Sequence, residues 1–279
     1  MTESNEKQTV LPEVPSHWVT LNDEYISRIE DIPRRLVVRK FDYKSGFYSP
    51  YHSHGWGQLL FISEGLIQVS AEGIGYWVVP PQRAVWIPAF VEHDARTIHS
   101  VLMRNVYISP EAAQGLPNHC QVINVSPLLR ELILALVGLD TLYDEDGAAG
   151  RLVSVFLDQL KAIPEVPLHL PQPGSKSLQK IAATLRAEPA DKRSMDDWAI
   201  ELGLSSRTLA RRFRKETGMT FGQWRQQARL LSAITRIAQG DPVAHIAQDL
   251  GYDSQSAFIT MFRKALGKTP GRYFDVGDK

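Results

Sequence analysis

The sequence holds very little cysteine and no long apolar run. Its only cysteine, Cys120, excludes a disulfide framework and a zinc site made of several thiolates, and fits a reducing cytoplasm. A membrane helix needs ~20 mostly apolar residues, whereas the longest apolar segment, 128–139, is shorter and carries charge. The first ten residues are polar and lack the apolar region of a signal peptide. We therefore expect a cytoplasmic chain that has no membrane partner.

Net charge is also absent, because 31 Lys and Arg residues balance 31 Asp and Glu residues. The balance conceals two unlike parts. Residues 1–175 hold 13 basic and 20 acidic side chains, a net charge of −7, and residues 176–279 hold 18 and 11, a net charge of +7. A basic part joined to an acidic part indicates that one part faces a polyanion while the other has a different role.

Pattern changes along the chain predict a multidomain α+β protein. Residues 32–110 alternate apolar and polar side chains between turn residues, which predicts a β-sandwich or small barrel. An amphipathic helical hairpin follows at 111–163, and four prolines at 164–176 predict an extended linker. Residues 177–279 form an all-α domain in this prediction, and residues 1–31 are an N-terminal arm.

The two helices of the hairpin are predicted from apolar stripes of helical period. The first stripe runs from Leu129 to Val137, and the second consists of Leu152, Val155, Phe156 and Leu160. The hairpin carries more apolar residues than one small sandwich face requires. We therefore expect it to pair two chains.

A short basic segment occurs twice in the C-terminal part. FRKETGMT at 213–220 returns as FRKALGKT at 262–269, 49 residues later. Each copy ends a helix that follows a shorter helix and a glycine turn, the order found in a helix-turn-helix. The repeat predicts such motifs at 195–216 and 243–266. One match alone has a high false-positive rate, but two in the same order rarely arise by chance.

Both second helices of the repeat carry the same signals. Ser205 and Ser254 are placed to cap their N-termini. Apolar anchors fall four and eight residues after each serine, at Leu209, Phe213, Phe258 and Phe262. The segment between the motifs, 220–239, has an apolar stripe that ends at Ala238 and predicts a helix about 30 Å long. Since successive major grooves lie about 34 Å apart, this helix suits a spacer between two DNA-reading helices.

The exposed faces of these helices predict the contacts with double-stranded DNA. Arginine pairs bidentately with guanine, and basic side chains neutralise phosphates. The first helix offers Arg207, Ala210, Arg211, Arg212, Arg214 and Lys215. The second helix has less charge and offers Gln255, Ser256, Thr260, Arg263 and Lys264, so we expect weaker contacts from it. The alternative interpretation is a solvated face of an all-α bundle.

Residues 177–275 resemble the DNA-binding domain of the AraC/XylS family of bacterial transcription regulators. The resemblance rests on the paired motifs, on FRKETG and on the closing YDSQSAFITMFRKALGKTPGRYF. It implies sequence-specific binding to a promoter, a homodimer, and contact with RNA polymerase if the chain is an activator. Thr260 departs from the pattern, because many members have a basic residue there. Trp198 stands where the first helix usually has leucine, which concerns packing.

The N-terminal part resembles a cupin, a small β-sandwich of the double-stranded β-helix type. The spacing of the first cupin motif is matched by Gly46, His52, His54, Gln58 and Gly65, with Gln58 in place of the usual glutamate. The second motif is matched in part, by Pro88 and His93, and Phe90 replaces a glycine. The resemblance implies a mouth that holds a metal or a small ligand.

The residue types at this mouth suit a divalent transition metal. His52 and His54 alternate along one strand and so share a face. His93 and the amide oxygen of Gln58 are the further candidate ligands, although neutral Gln58 makes a weaker site than glutamate. The alternative is a pocket that keeps the histidines as hydrogen-bonding groups for an organic effector.

Together these patterns predict a transcription regulator that is not an enzyme. A small molecule or metal bound in the sandwich changes DNA binding, and resemblance implies a nearby promoter such as that of an exporter gene. The alternative is a metal-dependent cupin enzyme, a dioxygenase or isomerase, fused to a DNA-binding module. The missing glutamate weakens that match. A structural chromatin protein would need no pocket and would usually be basic throughout.

Overall fold

The computed structural model of the chain describes residues 19–20, 29–44, 46–97, 99–161 and 163–274, with only the backbone described at 19–20. The predicted N-terminal arm therefore lies mostly outside the described residues. Among the described residues, every helix falls short of the length or the apolar content that a membrane crossing requires.

Two six-stranded sheets form the N-terminal sandwich and confirm the predicted fold class. The strands, in chain order, are β1 (Val19–Thr20), β2 (Leu36–Tyr43), β3 (Phe47–His52), β4 (Gly57–Glu64), β5 (Ile67–Ala71), β6 (Gly75–Val79), β7 (Arg83–Ile87), β8 (His93–Thr97), β9 (Val101–Ile108), β10 (Gln121–Asn124), β11 (Glu165–Val166) and β12 (His169–Pro171). The first sheet has the order β1-β3-β8-β5-β6-β12, and the second has the order β11-β10-β7-β4-β9-β2. Side chains alternate as the sequence predicts: Ile67, Val69 and Ala71 point into the core, while the residues between them are partly exposed.

The sandwich extends beyond the predicted boundary at residue 110. β10 pairs with β7, and the two strands of the 164–176 segment pair with β10 and β6. The segment is extended but is not a separate linker, because its backbone completes both sheets. Pro171, the one proline of this segment inside a strand, is tolerated because β12 is an edge strand.

The helical hairpin packs on the second sheet. Its helices are α1 (Pro127–Val137) and α2 (Ala148–Lys161). Leu129 and Leu136 are buried against this sheet as predicted. The predicted stripe on α2 is wrong at Val155, which is 46% exposed. The buried face runs instead through Val153, because a stripe of period 3.6 fitted to a short helix is easily displaced to neighbouring positions.

The C-terminal domain contains the two predicted helix-turn-helix motifs. Its helices are α3 (Lys176–Ala187), α4 (Met195–Glu201), α5 (Ser206–Thr217), α6 (Phe221–Ala238), α7 (Val243–Asp249) and α8 (Gln255–Leu266). The first motif is α4 and α5, and the second is α7 and α8. Gly203 (φ 64°) and Gly251 (φ 74°) make the turns in the left-handed conformation, which only glycine adopts without strain.

The spacer helix α6 has 18 residues, so it is about 27 Å long. Thr220 and Gln223 form the capping box that starts it. Trp224 and Leu231 are fully buried, but Ala238 is exposed, which corrects the predicted end of the apolar stripe. The last turn of α6 extends beyond the hydrophobic core, and the small side chain of Ala238 is tolerated in solvent there.

The sandwich and the C-terminal domain share one hydrophobic core cluster. Helix α6 lies against β6 and β12 of the first sheet. The amide group of Gln227 donates hydrogen bonds to the carbonyls of Pro167 (2.6 Å) and His169 (3.2 Å) in the edge segment. The first sheet therefore contacts the helix that separates the two helix-turn-helix motifs.

Candidate DNA-binding surface and effector site

The first DNA-reading helix, α5, is held by its own caps and by an aromatic cluster. The Ser205 hydroxyl accepts a hydrogen bond from the Thr208 N–H, and Gly218 ends the helix at φ 71°. Phe213 is fully buried and meets Phe221 and Trp224 edge to face, with ring centroids 5.6 and 5.8 Å apart. These contacts fix the rotation of α5 about its axis, and so decide which side chains face outward.

The side chains predicted to contact DNA from α5 all lie exposed on that outward face. They are Arg207, Ala210, Arg211, Arg212, Arg214 and Lys215. None of the five basic residues among them forms an ion pair with another described residue. Cations without intramolecular partners are free to neutralise phosphates or to contact base edges, so the face suits a polyanion.

The second DNA-reading helix, α8, is built in the same way. Ser254 caps it, Gly267 ends it at φ 79°, and the anchors Phe258 and Phe262 are fully buried. Its predicted contact residues are likewise exposed: Gln255, Ser256, Thr260, Arg263 and Lys264. Only two of these carry charge, both near the end of the helix. The exposed face of α8 therefore carries less positive charge than that of α5.

The three predicted histidines lie together beside strands β3 and β8. β3 and β8 are antiparallel, and His52 lies directly opposite His93 in their register. His54 follows two residues later in the loop before β4. The ring centroids are 4.4 Å apart for His52 and His93 and 5.2 Å for His54 and His93. One nitrogen from each ring lies within 4.8 Å of the others, a separation that a single metal ion can span.

Backbone carbonyls set the tautomer of each ring. The Nδ1 atom of His52 lies 2.7 Å from the carbonyl of Pro50, that of His54 lies 2.5 Å from the carbonyl of Trp56, and that of His93 lies 2.9 Å from the carbonyl of Val91. In a neutral ring, Nδ1–H donates to such a carbonyl and Nε2 keeps its lone pair. This arrangement orients metal-binding histidines in many proteins.

Burial keeps two of the rings neutral. It lowers the pKa of His93 to about 3, with the neighbouring His52 as a smaller cause. Burial also lowers the pKa of His54, and the hydrogen bond to Gln58 partly opposes that shift. Neutral imidazoles are the form that binds a metal or accepts a hydrogen bond from an organic ligand.

Gln58 stands beside this cluster as predicted, and its amide has two partners. Its Oε1 lies 3.1 Å from Nε2 of His54, and its Nε2 lies 3.4 Å from the hydroxyl of Tyr107. In neutral His54, Nδ1–H already donates to the carbonyl of Trp56. Its Nε2 then carries a lone pair and no hydrogen, so it cannot donate to the Gln58 oxygen. A cation bound by both atoms removes the conflict, and so does turning the amide end for end.

Two polar residues near this amide were missed from the sequence. Asn105 and Tyr107 alternate on β9, both are buried, and the amide of Asn105 donates to the Tyr107 hydroxyl at 3.4 Å. The Oδ1 atom of Asn105 is buried without a hydrogen-bond partner. An asparagine inside an apolar strand was the available signal, since buried polar groups normally have partners.

Phe90 explains why the second cupin motif normally has glycine at this position. Its φ is 64°, in the left-handed region that disfavours larger residues, and its N–H donates to the carbonyl of His54 at 2.8 Å. The side chain is 76% exposed. The loop before β8 is therefore tied by its backbone to the histidine cluster, whichever residue stands at 90.

Comparisons with known proteins match both halves of the chain. A family profile described as an AraC-like ligand binding domain matches residues 37–160, and one described as a helix-turn-helix domain matches residues 198–275. The regulatory protein SoxS of Escherichia coli K12 is 34% identical over 99 residues, which is 35% of this chain and 92% of SoxS. The structure of ToxT from Vibrio cholerae is 12% identical, with a TM-score of 0.36, and the alignment covers 86% of this chain and 98% of ToxT.

The similarity to one curated relative extends across both domains. The HTH-type transcriptional regulator NimR of Escherichia coli K12 is 40% identical over 225 residues, which is 81% of this chain and 82% of NimR. A match of that length includes sandwich and helical domain alike. The chain therefore belongs to the AraC family, as a DNA-binding transcription regulator with an N-terminal ligand-binding domain.

Proposed function

We propose that this regulator reads two successive major grooves of a promoter with α5 and α8, and that a divalent transition metal at the histidine cluster is its effector. The observation that carries the effector assignment is the convergence of three imidazoles, with one nitrogen of each inside 4.8 Å. The preferred promoter is that of a nearby gene, such as an exporter gene.

The reading of DNA follows from charge and spacing. Arg207 and Arg211 lie one turn apart on the exposed face of α5 and suit guanine edges. Arg212, Arg214 and Lys215 flank them and suit phosphates. Helix α6 supplies a stiff spacer whose length of about 27 Å is comparable to the groove repeat of about 34 Å. With less charge on α8, most of the affinity comes from the first motif.

The residues of the mouth fit a metal ion. His52, His54 and His93 would hold it through Nε2, and Gln58 would add an amide oxygen. A metal bound there would add a positive charge among residues that belong to β3, β8 and β4. β8 belongs to the sheet that packs on α6 through β6 and β12, so a change in the position of β8 would be passed to the DNA-binding domain through this sheet. Binding energy that differs between two domain arrangements is what couples the two sites.

The helical hairpin provides a surface for pairing two chains. Leu128 and Val155 are 52% and 46% exposed, one on each helix, and Leu142 in the turn between the helices is 62% exposed. Exposed large apolar side chains on both helices and on the turn of one hairpin favour an interface with another protein. A homodimer built on this surface would place four DNA-reading helices along one promoter, and an activator would also contact RNA polymerase.

The experiment is a footprint of the upstream promoter, with metal-stripped protein, in the presence and absence of Zn²⁺. We expect Zn²⁺ to change the affinity or extent of the footprint and to bind with a stoichiometry of one per chain in calorimetry. His52→Ala should abolish both effects while leaving DNA binding in place. His119→Ala, an exposed histidine outside the cluster, is the matched control. Metal binding that leaves the footprint unchanged would reject the effector role.

The same histidine geometry supports a second candidate, a metal-dependent enzyme fused to a DNA-binding module. Three imidazoles are also the protein ligand set of some metal-dependent enzymes. Turnover of a small molecule by the Zn²⁺- or Fe²⁺-loaded protein, lost in His52→Ala, would favour this candidate. A metal-dependent footprint with no turnover favours the regulator.

A further inference from the structure

A groove runs between the outer face of the first sheet and the helices α3 and α6. It consists of two adjoining cavities of 260 and 430 Å³ that share Gln68, Arg96 and Thr235 in their walls. Gln68 and Arg96 come from the sensor sheet, and Thr235 comes from the spacer helix. The histidine cluster lies elsewhere, because His93 and Arg96 stand on opposite faces of β8.

The groove gathers positive charge from both domains. Its walls include Arg96 from β8, Arg186 from the last turn of α3 and Arg236 from α6. Arg236 is already paired, with Asp241 at 2.6 Å and Asp249 at 2.9 Å. Arg96 and Arg186 form no ion pair with any residue that the structure describes.

The two unpaired arginines are held toward the groove by neutral partners. Arg96 Nε–H donates to the amide oxygen of Gln68 at 3.3 Å. The guanidinium of Arg186 lies over the ring of Tyr76, 4.3 Å from its centroid. Both contacts fix the direction of a guanidinium group without neutralising it, which leaves hydrogen-bond donors and charge available to a ligand.

No carboxylate lines either cavity among the described residues. Asp94 lies on the same face of β8, two residues before Arg96; it is hydrogen-bonded to Ser70 and also interacts with the charge of Arg96. The described walls of the two cavities therefore combine arginine side chains with no carboxylate. Such a surface is the complement of an anion.

The smaller cavity gives the groove an apolar end. Leu66 from the sensor and Ala238 from α6 line it, with the backbone of Gly65 beside them. A ligand that places its anion between Arg96 and Arg186 would extend a compact apolar body toward Leu66 and Ala238.

We propose that this groove binds a small organic anion, a carboxylate or phosphomonoester with a compact apolar body, between the sensor and the DNA-binding domain. A ligand that contacts both domains stabilises the docked arrangement by its binding energy, and so changes the fraction of chains in which the DNA-reading helices are held against the sensor. This site is separate from the histidine cluster and supplies a second input to the same regulator.

The test uses the full-length protein and three matched probes: benzoate, phenyl phosphate and the uncharged benzamide. Ligand-observed NMR titrations at constant ionic strength measure binding, and thermal unfolding reports stabilisation. We expect at least one of the two anions to bind and to raise the unfolding temperature, and benzamide to bind about tenfold more weakly or not at all. Arg96→Gln and Arg186→Gln should each weaken binding of that anion by about tenfold or more.

Two variants separate this groove from other positive surfaces. Arg151→Gln removes an exposed arginine on α2, and His52→Ala removes a member of the histidine cluster. Both should leave anion binding unchanged. If Arg96→Gln disturbs folding, Arg186→Gln still decides the result, because Arg186 is exposed at the end of its helix.

Each of the following results would overturn the proposal. The first is that neither anion binds, and the second is that benzamide binds as tightly as both. The third is that binding survives both arginine substitutions or is lost in His52→Ala. Inorganic phosphate is the final arm: if it binds as tightly as phenyl phosphate, the apolar end of the groove contributes nothing, and the organic ligand class is wrong.

Discussion

The indole Nε1–H of Trp224 donates a hydrogen bond to the carbonyl of Pro171 at 2.8 Å. Trp224 lies in the first turns of the spacer helix, and Pro171 ends the edge strand that completes the sensor sheet. One buried side chain therefore packs inside the DNA-binding domain and also fastens the sensor to it. This contact makes the edge segment a mechanical connection between the two domains.

Trp224→Phe should loosen that connection. The substitution keeps an aromatic ring in the core and removes the donor, so we expect a loss of about 0.5–1.5 kcal/mol in the free energy of unfolding. Limited proteolysis should also cleave faster in the segment 171–175. Trp86→Phe is the control, because Trp86 donates a similar bond to Pro117 at 2.7 Å within the sensor region. Equal cleavage in both variants would contradict the proposed role.

Arg207→Ala and Arg211→Ala should each weaken specific DNA binding by about 1–3 kcal/mol and relax base preference at one position. Lys215→Ala should weaken binding to all sequences alike and reduce the salt dependence, since a phosphate contact releases counterions. Fluorescence anisotropy with the operator and with single-base variants, at several salt concentrations, measures both effects. Unaltered base preference in both arginine variants would show that another face reads the DNA.

The turn glycines of the two motifs should differ in their tolerance of alanine. Both have positive φ, so each Gly→Ala change strains the backbone by about 1 kcal/mol. A Cβ at Gly203 meets nothing within 4 Å, whereas a Cβ at Gly251 lies 2.9 Å from the Cα of Ala190. We expect Gly251→Ala to lower the free energy of unfolding clearly more than Gly203→Ala in chemical denaturation. Similar losses would mean that the backbone near Ala190 shifts freely.

The free energy of unfolding should fall in mild acid because protonation of His169 favours the unfolded chain. Burial lowers the pKa of this imidazole from its ordinary value of 6.5 to about 4, and the ring stacks on Trp77 with centroids 4.5 Å apart. A lowered folded-state pKa means that the unfolded chain binds more protons between these values. Stability is therefore retained above pH 6.5 and lost as the pH falls toward 4.

His169→Phe keeps the stacked ring and removes this titration. The pH dependence of unfolding should be shallower in the variant by on the order of 1–3 kcal/mol between neutral and acidic conditions, after allowance for partial exposure. The difference between the two proteins isolates His169, because every other acid-sensitive group is common to both. Parallel pH profiles would show that this imidazole has no lowered pKa.

Local sequence signals were sufficient to predict the helices of the C-terminal domain. A capping serine, anchors at i and i+4 and a glycine turn act within a few residues, so both helix-turn-helix motifs and their exposed basic faces were readable along the chain. The three histidines were also identified, because the cupin spacing placed them as candidates. The prediction was wrong at Val155 on α2 and at Ala238 on α6, because neighbouring helical positions satisfy nearly the same period.

Tertiary structure alone decided how these parts meet. The segment 164–176 has the composition of a linker, but the sheets have unpaired edges, and backbone hydrogen bonds to β6 and β10 draw it into the sandwich. Gln58 reaches Tyr107, and Arg96 reaches the groove beside Arg186, through contacts between residues distant in sequence. Such contacts have no period and no local cap, and only the packing of the two sheets against each other and against α6 determines them.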